Sequence, residues 1–410
     1  MQKTVKARSK SGTLLLSVML WLALIGGFFA IVNRGHGSTN GPPGGGVGAH
    51  GAFSHVYPAD PVPFERPPVG TSSPYVPGKY RLHTNASATS ISALATLAPY
   101  QILLKVAPDV WRLSKPMELG VGSIISLTGP LRIELAPGAF ILAQHNSTLR
   151  LTDVTVVSVD GAGHLQNKPV SGRGYIDARS GALLQLSHDT FIDLGYLSDQ
   201  TYGVTIDGGS NLSYMRHCTV KGNYFGVYIG RVSGVVIANN RIINSVIYGI
   251  DPHTYDSHLT IMDNTVIGSG VHGIVIADHV TDSVVSGNHV LNSKDHGIVL
   301  YQFADHNTIS NNFISGTFDG LVVTDSSANH IVANTVSSAT RFGVRLSGIS
   351  TGNVIERNVI SHALLGVYIY QGATSNQLIN NSFTANYENV RVRSDAPANT
   401  VAPDPGRSEL

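Results

Sequence analysis

The chain of 410 residues has one cysteine, Cys218, so it forms no internal disulfide and carries no cysteine-rich metal site. This leaves the redox compartment open, because a β protein with a large core needs no cross-links. Charge is also scarce. Charged residues are 13% of the chain, against about a quarter in ordinary domains, and the net charge is +1. That balance does not point to nucleic acid. No stretch of the folded body keeps an apolar period of 3.6 long enough for a helix in every repeat. Glycine, by contrast, is abundant at 44 residues.

The one long apolar run lies at the N-terminus. Lys3, Lys6, Arg8 and Lys10 precede the uncharged stretch 13–32, which at 20 residues is long enough to span a bilayer. The basic flank predicts a cytoplasmic N-terminus and an exported remainder. The expected organisation is a tail and signal anchor over 1–33, a Gly/Pro-rich linker over 34–78, a folded domain over 79–394 and a flexible tail over 395–410. Cleavage as a signal peptide, giving a secreted protein, is the alternative.

The folded body repeats. Gly203, Gly226, Gly249, Gly273, Gly297, Gly320, Gly343 and Gly366 recur at intervals of 23 or 24, each before Val, Ile or Leu. Asparagines precede most of them by eight or nine residues: Asn240, Asn264, Asn288, Asn312, Asn334 and Asn358. A fixed period marks a solenoid, and short alternating Val/Ile runs mark strands. The fold class is therefore all-β, a right-handed parallel β-helix of about 23 residues per coil. The asparagines are expected at turns, in left-handed backbone, bonding up and down the stack. Residues 88–98 are expected to form a short helix capping the open end.

One coil breaks the pattern. "YGIDPH", 248–253, puts an acid, a proline and a histidine where neighbouring coils keep mostly neutral residues. Alternation points Asp251 and His253 outward, and Pro252 weakens the local ladder. Coil alignment sets His272 in the phase of Tyr248, and Ala277 and Tyr301 in that of His253, with Asp278 one step on. Lys294 and His296 follow one coil later. Tyr248, Asp251, His253, Asp278, Lys294 and His296 thus form a candidate patch with groups for acid–base chemistry. Tyr228, Tyr301, Thr324, Arg345 and Tyr368 are outward candidates for carbohydrate binding, with Lys221, Arg231 and Arg241 as a local basic groove. On pattern alone, His272 and His279 read as solvated or turn residues.

The hexapeptide and its flanks, 191–206, 222–253 and 258–283, resemble the mannuronan C5-epimerases. The resemblance covers about 130–395 and takes in the periplasmic alginate epimerase and the catalytic modules of the secreted enzymes. It implies conversion of β-D-mannuronate to α-L-guluronate within an exported, alginate-like polyuronate. It also implies His253 and Tyr248 as the proton-transfer pair, Asp251 as the residue that tunes the histidine, and Asp278 near the substrate carboxylate. Lys294, or a protonated His296 or His272, is the expected partner of that carboxylate. The glycine-aspartate nonapeptides of the calcium-dependent secreted enzymes do not occur here. The expectation is therefore no metal and no cofactor, with calcium as the candidate should an ion be used. The expected partners are an anionic polysaccharide and a polysaccharide export complex, with the catalytic domain periplasmic. A lyase acting by β-elimination and a non-catalytic carbohydrate-binding solenoid are the competing functions.

Overall fold

A computed structural model describes residues 77–198 and 200–402. They form a right-handed parallel β-solenoid. Each coil from Ile176–Arg179 to Leu365–Ile369 gives one strand to a 12-stranded sheet and two short strands to a 24-stranded sheet, to which the two coils before them give one long strand each, Ile124–Leu135 and Thr148–Ser158. A typical coil reads Val236–Ala238, Arg241–Ile243, Ile250–Pro252. Ile250 pairs with Ile274 and Ile274 with Ile298, so these coils take 24 residues, one more than the period expected for most.

Period-2 alternation decides what is inside. Ile237, Ile242 and Ile250 are all fully buried in one core that runs the length of the solenoid. Each such side chain contributes about 2–3 kcal/mol by leaving water.

Polar ladders fix the coil spacing. Asn264 Oδ1 accepts from the backbone N–H of Asn240 at 3.0 Å and from its Nδ2 at 2.9 Å. Asn264 Nδ2 donates to the Ile237 carbonyl and to Asn288 Oδ1, both at 2.9 Å. The left-handed residues are the ones just before these asparagines, such as Asn239 at φ 57° and Asp263 at φ 54°. The asparagines thus sit in the corners between strands and bond along the stack as expected, but buried and one residue past the left-handed position, because an amide that bonds both ways is satisfied without water.

The repeated glycines serve close approach. A Cβ on Gly249 would stand 2.5 Å from the Gly273 carbonyl oxygen and 2.4 Å from Val266 Cγ1.

A helix, Ile91–Leu97, caps the N-terminal end with buried Leu94, and Ser90 accepts from the Ala93 N–H at its start. The solenoid extends past the expected boundary at 394. Ala396 is buried, Asn399 Oδ1 accepts from the Asn376 N–H at 2.9 Å, and Thr400 pairs with Gln377. A tail beginning at 395 is thus corrected, since its first residues complete a coil. No helix among the described residues is long and apolar enough to cross a membrane. The anchor expected at 13–32, and most of the linker expected over 34–78, lie outside the described residues.

Candidate active site

The site lies on the outer face of the 12-stranded sheet. Tyr228 pairs laterally with Asp251, and His253 bridges to Ala277, as the coil alignment requires. Pro252 still pairs with Ile229 on one side. On the other side only Ile250↔Ile274 and the isolated His253↔Ala277 bridge remain, because proline has no N–H for the ladder.

Asp251 is 1% exposed although it faces outward. Its Oδ1 lies 3.6 Å from His253 Nδ1, and that buried oxygen makes no hydrogen bond at this distance. Catalytic hydrogen bonds commonly tighten when substrate arrives. With Nδ1 facing the carboxylate, Nε2 is the nitrogen left to take a proton. Asp256, which the sequence reading passed over, holds the strand end. Its Oδ2 accepts from the His253 N–H at 3.1 Å and its Oδ1 from the Val232 N–H at 2.9 Å. Burial pushes its carboxyl well up, and the carboxylates of Asp207 and Asp251 add to that against the two backbone bonds.

Tyr248 heads a separate column. Its ring lies 5.0 Å from Phe225 and 5.3 Å from His272, and His272 lies 4.9 Å from His296. Burial raises the Tyr248 phenol above its ordinary value, and the charges of Asp251 and Asp295 raise it further. Tyr248 precedes the bend at Gly249, and His253 follows the strand Ile250–Pro252. Asp251 lies between them in the chain, and these three residues bound the candidate slot.

His279 is the turn residue expected, left-handed and part-exposed. His272 is instead mostly buried, and neither it nor His296 supplies a cation at neutral pH. Burial lowers His272 to about 3, and Arg345 adds to the effect. Burial likewise holds His296 well below its ordinary value, with His272, Arg345 and Arg341 contributing. Both rings are therefore neutral.

The cation beside them is Arg345. Its guanidinium reaches back across two coils to stand 3.3 Å from His296 Nε2. Its Nε lies 3.2 Å from fully buried Asp319, which also binds Arg341 through two bonds of 2.9 Å. Because Nε2 of His296 accepts, its proton sits on Nδ1, which faces Asp295 at 3.2 Å.

The remaining predicted residues divide. Tyr228 is nearly buried beside His253, with ring centroids 6.4 Å apart, and burial raises its phenol. Tyr301 is half-buried in the His253 column, as expected. Asp278 is not drawn to the slot, because its backbone turns left-handed at φ 53° and its carboxylate meets His279 Nδ1 at 3.0 Å. Lys294 is exposed in the turn before Asp295. Lys221 and Arg241 stand on the other sheet, and Arg231 is ion-paired to Asp207.

His272, Asp295 and His296 are the group of three metal-ligand side chains that lie close enough to share an ion among the described residues. Their arrangement does not fit one. The two imidazoles are stacked with 9° between their planes, so one ion cannot lie in both planes. His272 Nδ1 already accepts the His296 N–H at 3.3 Å. A single carboxylate is also far short of the roughly six to eight oxygens calcium takes.

A family model described as periplasmic copper-binding protein (NosD) matches residues 144–316 and 293–401. A mannuronan C5-epimerase of Pseudomonas fluorescens is 28% identical over 178 residues, covering 40% of this chain and 34% of its own length. One from Pseudomonas aeruginosa PAO1 is 27% identical over 187 residues, covering 42% and 34%. The chain thus spans about a third of the length of the curated relatives it matches. The crystal structure of the periplasmic alginate epimerase AlgG superposes with a TM-score of 0.71 at 21% identity, covering 78% of this chain and 84% of that one. At that identity the likeness is one of fold.

Proposed function

Because this chain belongs to the NosD family and is related through its central coils to mannuronan C5-epimerases, we propose that it inverts C5 of mannuronate units within an exported polyuronate. The observation that carries this reading is the slot itself: His253 backed by buried Asp251 at one end, and a phenol held protonated at the other. His253 Nε2 takes the C5 proton. Tyr248 returns one from the opposite face, and its raised phenol stays protonated across the working pH range, as a donor must. The carboxylate of the sugar carries the charge in between, and Arg345 is the group suited to stabilise it. Arg345 replaces Lys294 and the two histidines in that role, because it is charged at every relevant pH and Asp319 fixes its position. Asp278 has no part in this assignment. The copper of the family's description does not fit the trio present here, and the chemistry rests on side chains alone.

The likeness to periplasmic proteins supports an extracytoplasmic location, where an export complex would present the polymer. Incubation with polymannuronate in D2O tests the reading. Deuterium at C5 with new guluronate signals is expected, and His253→Gln and Tyr248→Phe should each lower the rate by about 100-fold or more. A 4,5-double bond absorbing in the ultraviolet would assign the protein as a lyase instead. No exchange at all would refute both.

A further inference from the structure

A second aromatic column runs along the other edge of the same three coils. Tyr255 and His279 have ring centroids 4.6 Å apart, and His279 and Phe303 4.9 Å apart, with interplanar angles of 15° and 29°. Unlike the Tyr248 column, this one faces water: Tyr255 is 65% exposed and Phe303 44%. Neither ring joins the core.

The backbone beneath is unusual. Thr254 and Tyr255 have φ 71° and 60°, Asp278 and His279 have 53° and 66°, and Gln302 and Phe303 have 52° and 61°. A left-handed conformation at a bulky residue is a departure that glycine would relieve. Here it occurs in consecutive pairs, in three adjacent coils, each pair ending in a ring. Backbone bonds lock the register, from the Tyr255 N–H to the Asp278 carbonyl at 2.8 Å and from the His279 N–H to the Gln302 carbonyl at 3.0 Å.

The device stops at both ends. One coil earlier the turn holds Arg231, paired with Asp207. One coil later only Asp325 is left-handed, and Ser326 is buried. The strip therefore begins two residues after His253 and extends only toward the C-terminal coils. Strain held in place by neighbouring structure, with apolar ring edges turned to solvent, points to a ligand.

We propose that Tyr255, His279 and Phe303, stacked on one another, present an apolar strip of ring edges along which successive sugar rings of a polyuronate chain lie. The chain would run along the solenoid axis, with its longer arm on the C-terminal side of His253. Apolar ring edges suit the C–H faces of pyranose rings and leave the carboxylates toward water. The inference rests on the proposed function for the identity of the polymer but not for the existence of the strip.

The test separates binding from chemistry. Tyr255→Ala, Phe303→Ala and the double variant are compared with the full chain by affinity electrophoresis in gels containing polymannuronate, and in gels containing a neutral glucan. Melting temperature verifies folding, and a Tyr255→Phe variant keeps the ring. The expected result is retardation of the wild type by polymannuronate, an apparent Kd about tenfold weaker for the double variant, and retention of binding by Tyr255→Phe. Equal retardation of wild type and double variant overturns the strip. So does the absence of retardation of the wild type, or retardation by the neutral glucan alone. A wild type that binds through the strip yet shows no C5 exchange would refute the epimerase reading while leaving the strip intact.

Discussion

At the scale of single residues, charge state follows from burial more than from residue type. His272 and His296 are placed as a sequence alignment would place them, yet both are neutral because water is excluded and Arg345 is adjacent. The sign of the consequence is fixed. A histidine whose folded pKa is depressed leaves the unfolded chain binding more protons, so stability rises with pH across the affected window. For His272 that window runs from about 3 up to its ordinary 6.5: its contribution is present above 6.5 and lost as pH falls. His272→Phe keeps a ring in the stack and removes the titration. The variant should lose less melting temperature than wild type between pH 7 and pH 5. Buried carboxylates such as Asp256 are common to both proteins and cancel in the difference. Arg345 is the second residue to probe. Arg345→Lys keeps a charge but loses the fork that spans Asp319 and His296, so kcat/KM for the polymer should fall by roughly tenfold or more, and Arg345→Ala further.

At the scale of elements, each strand is only two to six residues on the sheet that bears the site, and its stability comes from the strands above and below. The asparagine ladders are the part most exposed to single substitutions. Asn264→Ala removes the acceptor for two donors of Asn240 and leaves the Ile237 carbonyl without its amide partner. Urea unfolding should show a loss of about 2–3 kcal/mol. Gly249→Ala forces a Cβ against the Gly273 carbonyl, with an expected loss of about 2–3 kcal/mol. The element that carries the chemistry departs from this regularity at Pro252, which breaks pairing toward the next coil, while the His253 N–H keeps its bond to the Ile229 carbonyl and is shared with Asp256.

At the scale of the whole molecule, coils contact mainly their neighbours, so stability propagates along one dimension. The capping helix closes the first coils through Leu94. Leu94→Asp buries an unpaired charge there. Hydrogen exchange should show protection lost first around Leu131, Val154 and Val156, with Ile261, Ile309 and Ile355 retaining it longer. Uniform loss across all coils would show a single cooperative unit instead.

The sequence by itself determined the repeat, because a fixed period forces residues one coil apart into lateral contact. It follows that Tyr228, Asp251, His253, Ala277 and Tyr301 could be assigned to columns before any coordinates. "YGIDPH" stood out because an acid, a proline and a histidine displaced neutral strand residues. The turns were less legible. Asp278 is one step past the His253 column, but a left-handed residue there redirects its side chain to His279, and alternation holds only within a strand. Asp256 could have been suspected from an acid three residues after His253, but only the bend of the chain shows which N–H groups it meets. The tertiary structure alone decided the reach of Arg345 over two coils, the neutrality of the two histidines and the exposed stack of Tyr255, His279 and Phe303. Periodicity fixes where a Cα stands. Side-chain reach, burial and turn conformation depend on contacts across several coils, which no single period encodes.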